Sequence, residues 1–163
     1  MAVNWNTIKL KNYSDVNLEY VATAVAITPG MLLELTSSGT VQAHSTIGGN
    51  NLQMFACEDS LQGRSIATNY AVSSRVFCWV PTRGDEVYAI LANDQDVSIG
   101  DFLESAGNGF LRKHDPDVES STHTIQTGQI VGIALEAMDL LESSLESSAS
   151  PLGHNKRIRI RVT

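Results

Sequence analysis

Turn-forming residues break this chain into short apolar runs, and that punctuation constrains the fold more than any other feature. Tyr20-Val21-Ala22-Thr23-Ala24-Val25-Ala26-Ile27, rich in β-branched and small residues, stops at Thr28-Pro29-Gly30. Residues 31–35 follow, and Ser37-Ser38-Gly39-Thr40 reads as a hairpin turn into Val41-Gln42-Ala43-His44. Further strand candidates are 52–58, 72–80 up to Pro81, and Glu86-Val87-Tyr88-Ala89-Ile90-Leu91 after the turn at Gly84-Asp85. Ile99-Gly100-Asp101 and Ala106-Gly107-Asn108-Gly109 are two more turns, flanking Phe102-Leu103-Glu104 and leading into Phe110-Leu111-Arg112-Lys113. Residues 129–138 form another apolar run in which Gly132 marks a bulge or a close backbone approach. Finally, Arg157-Ile158-Arg159-Ile160-Arg161-Val162 alternates strictly, as a half-buried strand does.

About seven to ten short strands with few helical windows predict an all-β (mostly β) fold, barrel-like or sandwich-like, with at most one or two short helices. The segment 61–70 is ambiguous: Gly63 argues against a long helix and leaves room for a helical turn. Residues 1–20 hold Trp5, Ile8, Leu10 and Tyr13 among polar neighbours without a clear partner run, so they are expected to form an extended N-terminal arm. Residues 21–163 are expected to form one β-rich domain, with a polar loop or short amphipathic helix at 139–154 where Ser and Glu accumulate.

Net charge narrows the partners. The chain of 163 residues carries −7, and between residues 85 and 146 thirteen acidic residues face two basic ones, Arg112 and Lys113. An acidic body is repelled by phosphate backbones, so no direct nucleic-acid partner is expected. The basic strand at 156–161 is expected to lie beside acidic segments of this subunit or a neighbour. No stretch approaches the roughly 20 apolar residues that span a bilayer, so no membrane partner is expected. The start lacks a basic region followed by an apolar one, which is unlike a signal peptide and predicts synthesis in a cytoplasm.

Motifs for chemistry are scarce. Cys57 and Cys78 sit inside apolar runs and read as buried thiols. Of the four histidines, only His114 in His114-Asp115-Pro116-Asp117, with His123 nearby, suggests a metal, and solvated loop residues are the preferred reading. There is no Gly-x-Ser-x-Gly elbow, phosphate loop or dinucleotide fingerprint. Asp94, Asp96, Asp101 and Glu104 read as a solvated rim, and Arg83-Gly84-Asp85 spells a short adhesion tripeptide that recurs by chance. No catalytic, metal or cofactor site is expected, and the chain is not expected to be an enzyme.

Four segments in order carry a resemblance: Glu58-Asp59-Ser60-Leu61-Gln62-Gly63, Val80-Pro81-Thr82-Arg83-Gly84-Asp85-Glu86-Val87-Tyr88, Gly100-Asp101-Phe102-Leu103-Glu104-Ser105 and Ile130-Val131-Gly132-Ile133-Ala134-Leu135-Glu136-Ala137. Together they resemble the head decoration, or capsid-stabilising, proteins of tailed phages. The resemblance implies a small β-barrel or β-tulip domain sitting as a homotrimer at threefold positions on the outside of the expanded capsid. It also implies the major capsid protein as partner and the virion surface as location. By the same resemblance the N-terminal arm reaches the capsid protein, with Trp5, Ile8, Leu10 and Tyr13 as candidate contacts. Three alternatives stand beside it: a virion surface module for a host glycan or receptor, a tail or connector protein, and a small-barrel enzyme.

Overall fold

The computed structural model describes residues 5–13, 15–23, 26–115, 129–141 and 156–163. Within them the chain forms thirteen strands and one short 3-10 turn. The strands are β1 (Lys9–Lys11), β2 (Asn17–Val21), β3 (Leu32–Leu35), β4 (Val41–Ala43), β5 (Met54–Ala56), β6 (Arg75–Trp79) and β7 (Glu86–Ile90), then β8 (Asp96–Val97), β9 (Phe102–Ser105), β10 (Leu111–Lys113), β11 (Ile130–Ala134), β12 (Met138–Asp139) and β13 (Arg157–Val162). They make a five-stranded sheet in the order β2-β6-β5-β3-β4, a six-stranded sheet in the order β1-β7-β13-β11-β9-β10, and the pair β12-β8. Every strand pairing is antiparallel. The mostly-β expectation holds.

Local chemistry explains the joints. In the β3–β4 hairpin Gly39 takes φ +76°, a left-handed value open to glycine, while Thr36 N–H donates to the Thr40 carbonyl at 2.9 Å. The ambiguous stretch 61–70 resolves into a single 3-10 turn, Ser60–Gln62, which the Asp59 carboxylate caps by accepting from Gln62 N–H and Gly63 ends in the left-handed region. At Gly132 both expected features occur. The register between β11 and β9 breaks between Ile130 and Gly132, and a Cβ there would stand 2.6 Å from the Arg161 carbonyl oxygen.

The expected barrel is corrected. Each large sheet curls until distant strands touch at one parallel bridge, Ala22 with Val41 in the first and Leu91 with Leu111 in the second. The contacts are Thr23 N–H to the Val41 carbonyl at 3.0 Å and Ala92 N–H to the Leu111 carbonyl at 2.7 Å. Neither continues as a ladder, because β4 and β10 are only three residues long and their partners diverge after one pair. The two curled sheets therefore remain open.

Two apolar clusters fill the body. One gathers Val87, Ala89, Leu103, Leu111, Val131, Ile158, Ile160 and Val162 with Phe55, Leu32 and Trp79 from the five-stranded sheet. The other collects Leu33, Val41, Met54, Ala56, Val76 and Cys78. Adjacent residues of β3, β5 and β6 thus feed different clusters, so the five-stranded sheet is covered on both faces. That is why Met54-Phe55-Ala56 reads as a continuous apolar run rather than an alternation. Strand β13 does alternate, with Ile158, Ile160 and Val162 buried and Arg161 exposed, yet Arg157 is buried as well.

The N-terminal segment is not a partnerless arm. Strand β1 pairs with β7 at the edge of the six-stranded sheet, and β2 pairs with all of β6 at the edge of the other. Within the expected 139–154 loop or helix, Asp139 ends β12, Leu140 is buried and Leu141 half-exposed; residues 142–155 lie outside the described residues.

Candidate interaction surface

Three of the four candidate contact residues point into the protein. Ile8 is wholly buried beside Trp79 and Val87, and Trp5 and Leu10 pack partly buried against the same cluster. Tyr13 alone faces outward, 70% exposed. The difference follows from position: Ile8 immediately precedes β1 and Leu10 is its central residue, both packed on the core, whereas Tyr13 lies beyond its end.

Two carboxylates fasten this segment, a role the sequence does not show for either. Glu58 accepts from Thr7 Oγ1 at 2.5 Å and from Ile8 N–H at 3.1 Å. Asp85, fully buried, accepts from Tyr13 N–H at 2.6 Å, from Thr82 N–H at 2.8 Å and from Thr82 Oγ1 at 3.1 Å. The only available signal was the Thr82 to Asp85 spacing, which closes a turn on itself. Lysines frame the segment: Lys9 Nζ stands 5.4 Å from the centre of the Trp79 ring and pairs with Asp15 at 2.8 Å, and Lys11 Nζ lies 5.2 Å from the Tyr13 ring. Burial of Asp85 also disposes of the adhesion tripeptide, since a receptor would need that carboxylate free.

The other candidate groups are scattered. Glu104, expected on a solvated rim, is buried and holds Arg112 at 2.5 Å and His114 Nδ1 at 2.7 Å. Asp94 and Asp96 are exposed, and Asp101 pairs with Lys113 at 2.7 Å. His114 thus spends its Nδ1 on a carboxylate; His123 and residues 116–117 lie outside the described residues. Among the described residues no three His, Cys, Asp or Glu side chains converge as metal ligands.

One arrangement has the residue types of a hydrolase. His44 Nδ1 lies 2.8 Å from Ser105 Oγ, and His44 Nε2 lies 3.1 Å from the Asn50 carbonyl and 3.8 Å from Glu34. Ser105 is fully buried and its Oγ also accepts from Gly107 N–H, so this hydroxyl has no room for an acyl group. The cluster ties the loop after β4 to the end of β9. Desolvation raises both thiols, Cys78 to about 12 and Cys57 further, which holds them protonated and unreactive.

No protein-family model and no curated protein matches this chain. Among the described residues no helix is long and apolar enough to cross a membrane.

Proposed function

We propose that this chain is a non-enzymatic structural protein of a tailed-phage virion, made in the host cytoplasm. It binds the outer surface of the expanded capsid at threefold positions. Its partner is the major capsid protein, and it stands there as a homotrimer that stabilises the shell. The reading rests on the ordered segments given above, and one structural observation supports it most. The buried Asp85 carboxylate fixes the main chain of Tyr13 while leaving the ring 70% exposed, so a rigid body presents an aromatic anchor. Exposed, pre-positioned tyrosines are favoured at protein interfaces because little side-chain freedom is lost on docking. Repetition over a shell multiplies a modest contact into tight retention. A receptor module acting through Arg83-Gly84-Asp85 is disfavoured, because Asp85 is wholly inside.

Co-sedimentation with expanded shells lacking the protein tests this, with unexpanded procapsids as control. Saturable binding to expanded shells, weakened by Tyr13→Ala, is the expected result. Equal binding to both particles, or to neither, overturns the reading.

A further inference from the structure

The parallel bridge between Leu91 and Leu111, which draws the six-stranded sheet round on itself, also builds a pocket of about 350 Å³. That volume lies at the lower end of the range for small-molecule sites. Asn93 and Gln95 reach it from the chain leaving β7, Asn108 and Phe110 from the β9–β10 turn, Arg112 from β10, and Lys156 from just before β13. Main-chain bonds hold these pieces together. Leu91 N–H donates to the Lys156 carbonyl at 2.7 Å, Ala92 N–H to the Leu111 carbonyl at 2.7 Å, and Ala106 N–H to the Phe110 carbonyl at 2.9 Å. The walls are therefore set in advance, and a ligand need not order them.

Among the described residues no carboxylate lines this pocket, and the chemistry of its hydrogen bonds fixes which end each carboxamide has to spare. Lys156 Nζ can only donate, so it holds Asn93 by Oδ1 and leaves Nδ2 over. Phe110 N–H donates to Asn108 Oδ1 at 3.1 Å, which leaves Nδ2 over there too. Gln95 is used at both ends: it accepts from Lys113 N–H at 2.9 Å and donates to the Asp94 carbonyl at 3.2 Å. Arg112 is neutralised by Glu104, which accepts from its Nε at 2.8 Å. Lys156 is not neutralised. Only 5% exposed, it meets a neutral carboxamide, whereas the more exposed Lys9 and Lys113 each pair with a carboxylate. A buried ammonium without an opposite charge is rare, because little else offsets its lost hydration.

We propose that this pocket binds a carboxylate-bearing sugar of the uronate type. Once Arg112 and Glu104 cancel, the lining carries the single positive charge of Lys156, and one carboxylate balances it. A phosphate monoester, with a charge of about −1.5 to −2, overshoots that balance. The spare carboxamide donors of Asn93 and Asn108 suit the ring and hydroxyl oxygens of a sugar, and Phe110 offers its ring carbons an apolar wall. Strands β10 and β1 are opposite ends of the six-stranded order, so this site is separate from the Tyr13 anchor and its test needs no capsid.

The probe is D-glucuronate, titrated into the full chain by calorimetry, with D-glucose as the neutral control and acetate as a carboxylate without a ring. The expected result is saturable binding of glucuronate, with glucose and acetate each weaker by about tenfold or more, the worth of one charge-assisted hydrogen bond. Lys156→Met keeps most of the stem and removes the charge, so it should weaken glucuronate to the level of glucose. Asn108→Asp keeps the acceptor for Phe110 N–H and sets a carboxylate in the pocket, so it should weaken glucuronate without lowering the melting temperature. That exposed substitution keeps the test decisive should Lys156→Met fail to fold. Absent binding, glucuronate held no more tightly than glucose or acetate, or an affinity unchanged in either folded variant overturns the proposal.

Discussion

Arg157 and Gly30 share one space. A Cβ on Gly30 would overlap the Nη1 of Arg157 and stand 3.0 Å from the Tyr88 carbonyl oxygen, and Gly30 takes φ +93°. The guanidinium that fills this space donates from Nη1 to the Pro29 carbonyl at 2.6 Å and from Nη2 to the Ile66 carbonyl at 2.9 Å, with its Cζ 5.9 Å from the centre of the Tyr88 ring. Desolvation lowers its pKa to about 10, which still leaves it charged at neutral pH. One cation on β13 thereby ties down two loops of the other half of the chain.

Gly30→Ala should destabilise the protein by about 2–4 kcal/mol, combining a left-handed backbone with displacement of the guanidinium. Arg157→Met should cost about 2–4 kcal/mol, because two buried carbonyls lose charged donors while the stem volume is retained. The two residues act through the same contact, so the double variant should cost clearly less than the sum. Urea midpoints of the four proteins measure this; strict additivity would show that the two sites are independent.

The N-terminal segment should separate into folding and contact roles. Ile8→Ala should cost about 2–5 kcal/mol, the range for emptying a buried isoleucine site. Tyr13→Ala should change stability by no more than about 0.5 kcal/mol, as exposed substitutions do, while weakening shell binding. Thermal melts and sedimentation on the same two variants provide the comparison.

Glu104 offers a coupled pair. Glu104→Ala should cost about 2–4 kcal/mol, since Arg112 and His114 lose the carboxylate that both bond and half of the pair lies inside. In a double-mutant cycle with Arg112→Met the coupling should be about 1–3 kcal/mol. A coupling near zero would mean that Arg112 simply turns to water.

Acid should weaken the fold in a defined window. Lys113, then the Ser98 N–H, hold the Asp101 carboxyl below its ordinary 3.8. Burial pushes Glu34 upward, but hydrogen bonds from Ser45 and Gln42 outweigh it and leave that carboxyl below 4.5. A carboxyl with a lowered folded pKa binds fewer protons folded than unfolded, so its stabilisation is complete above the unfolded value and lost as pH falls through the folded one. Urea midpoints should be flat from neutral pH to about 4.5 and fall below it. Glu34→Gln and Asp101→Asn should each make that fall shallower; an unchanged slope would remove these groups from the acid response.

The sequence made the strands legible wherever one face is wet and the turn is glycine-bound. Ile158, Ile160 and Val162 fall on the buried side as their alternation requires, and Gly39, Gly84 and Gly100 take the positive φ values that end strands. Burial that depends on distant partners was not legible. Arg157 is inside because carbonyls at Pro29 and Ile66 meet it, and nothing near residue 157 encodes them. Ile27, which closes an apolar run beginning at Tyr20, pairs with Tyr70 at an isolated bridge, because β2 ends at Val21 and the chain has by then left the sheet. In the N-terminal segment the apolar pattern did not show which side chains turn inward, because Glu58 and Asp85 reach it from elsewhere in the chain.

The position of β13 has a further consequence, for synthesis. The strand lies between β7 and β11 in the six-stranded sheet, although residues 157–162 leave the ribosome after every other strand. Until they emerge, β7 and β11 have no common neighbour and each shows an unpaired inner edge. Folding of this sheet is thus held back until residues 157–162 are made, when the alternating Arg and Ile residues slot between two waiting strands. A nascent chain so arranged depends on keeping those edges apart from its neighbours on the same polysome until β13 arrives.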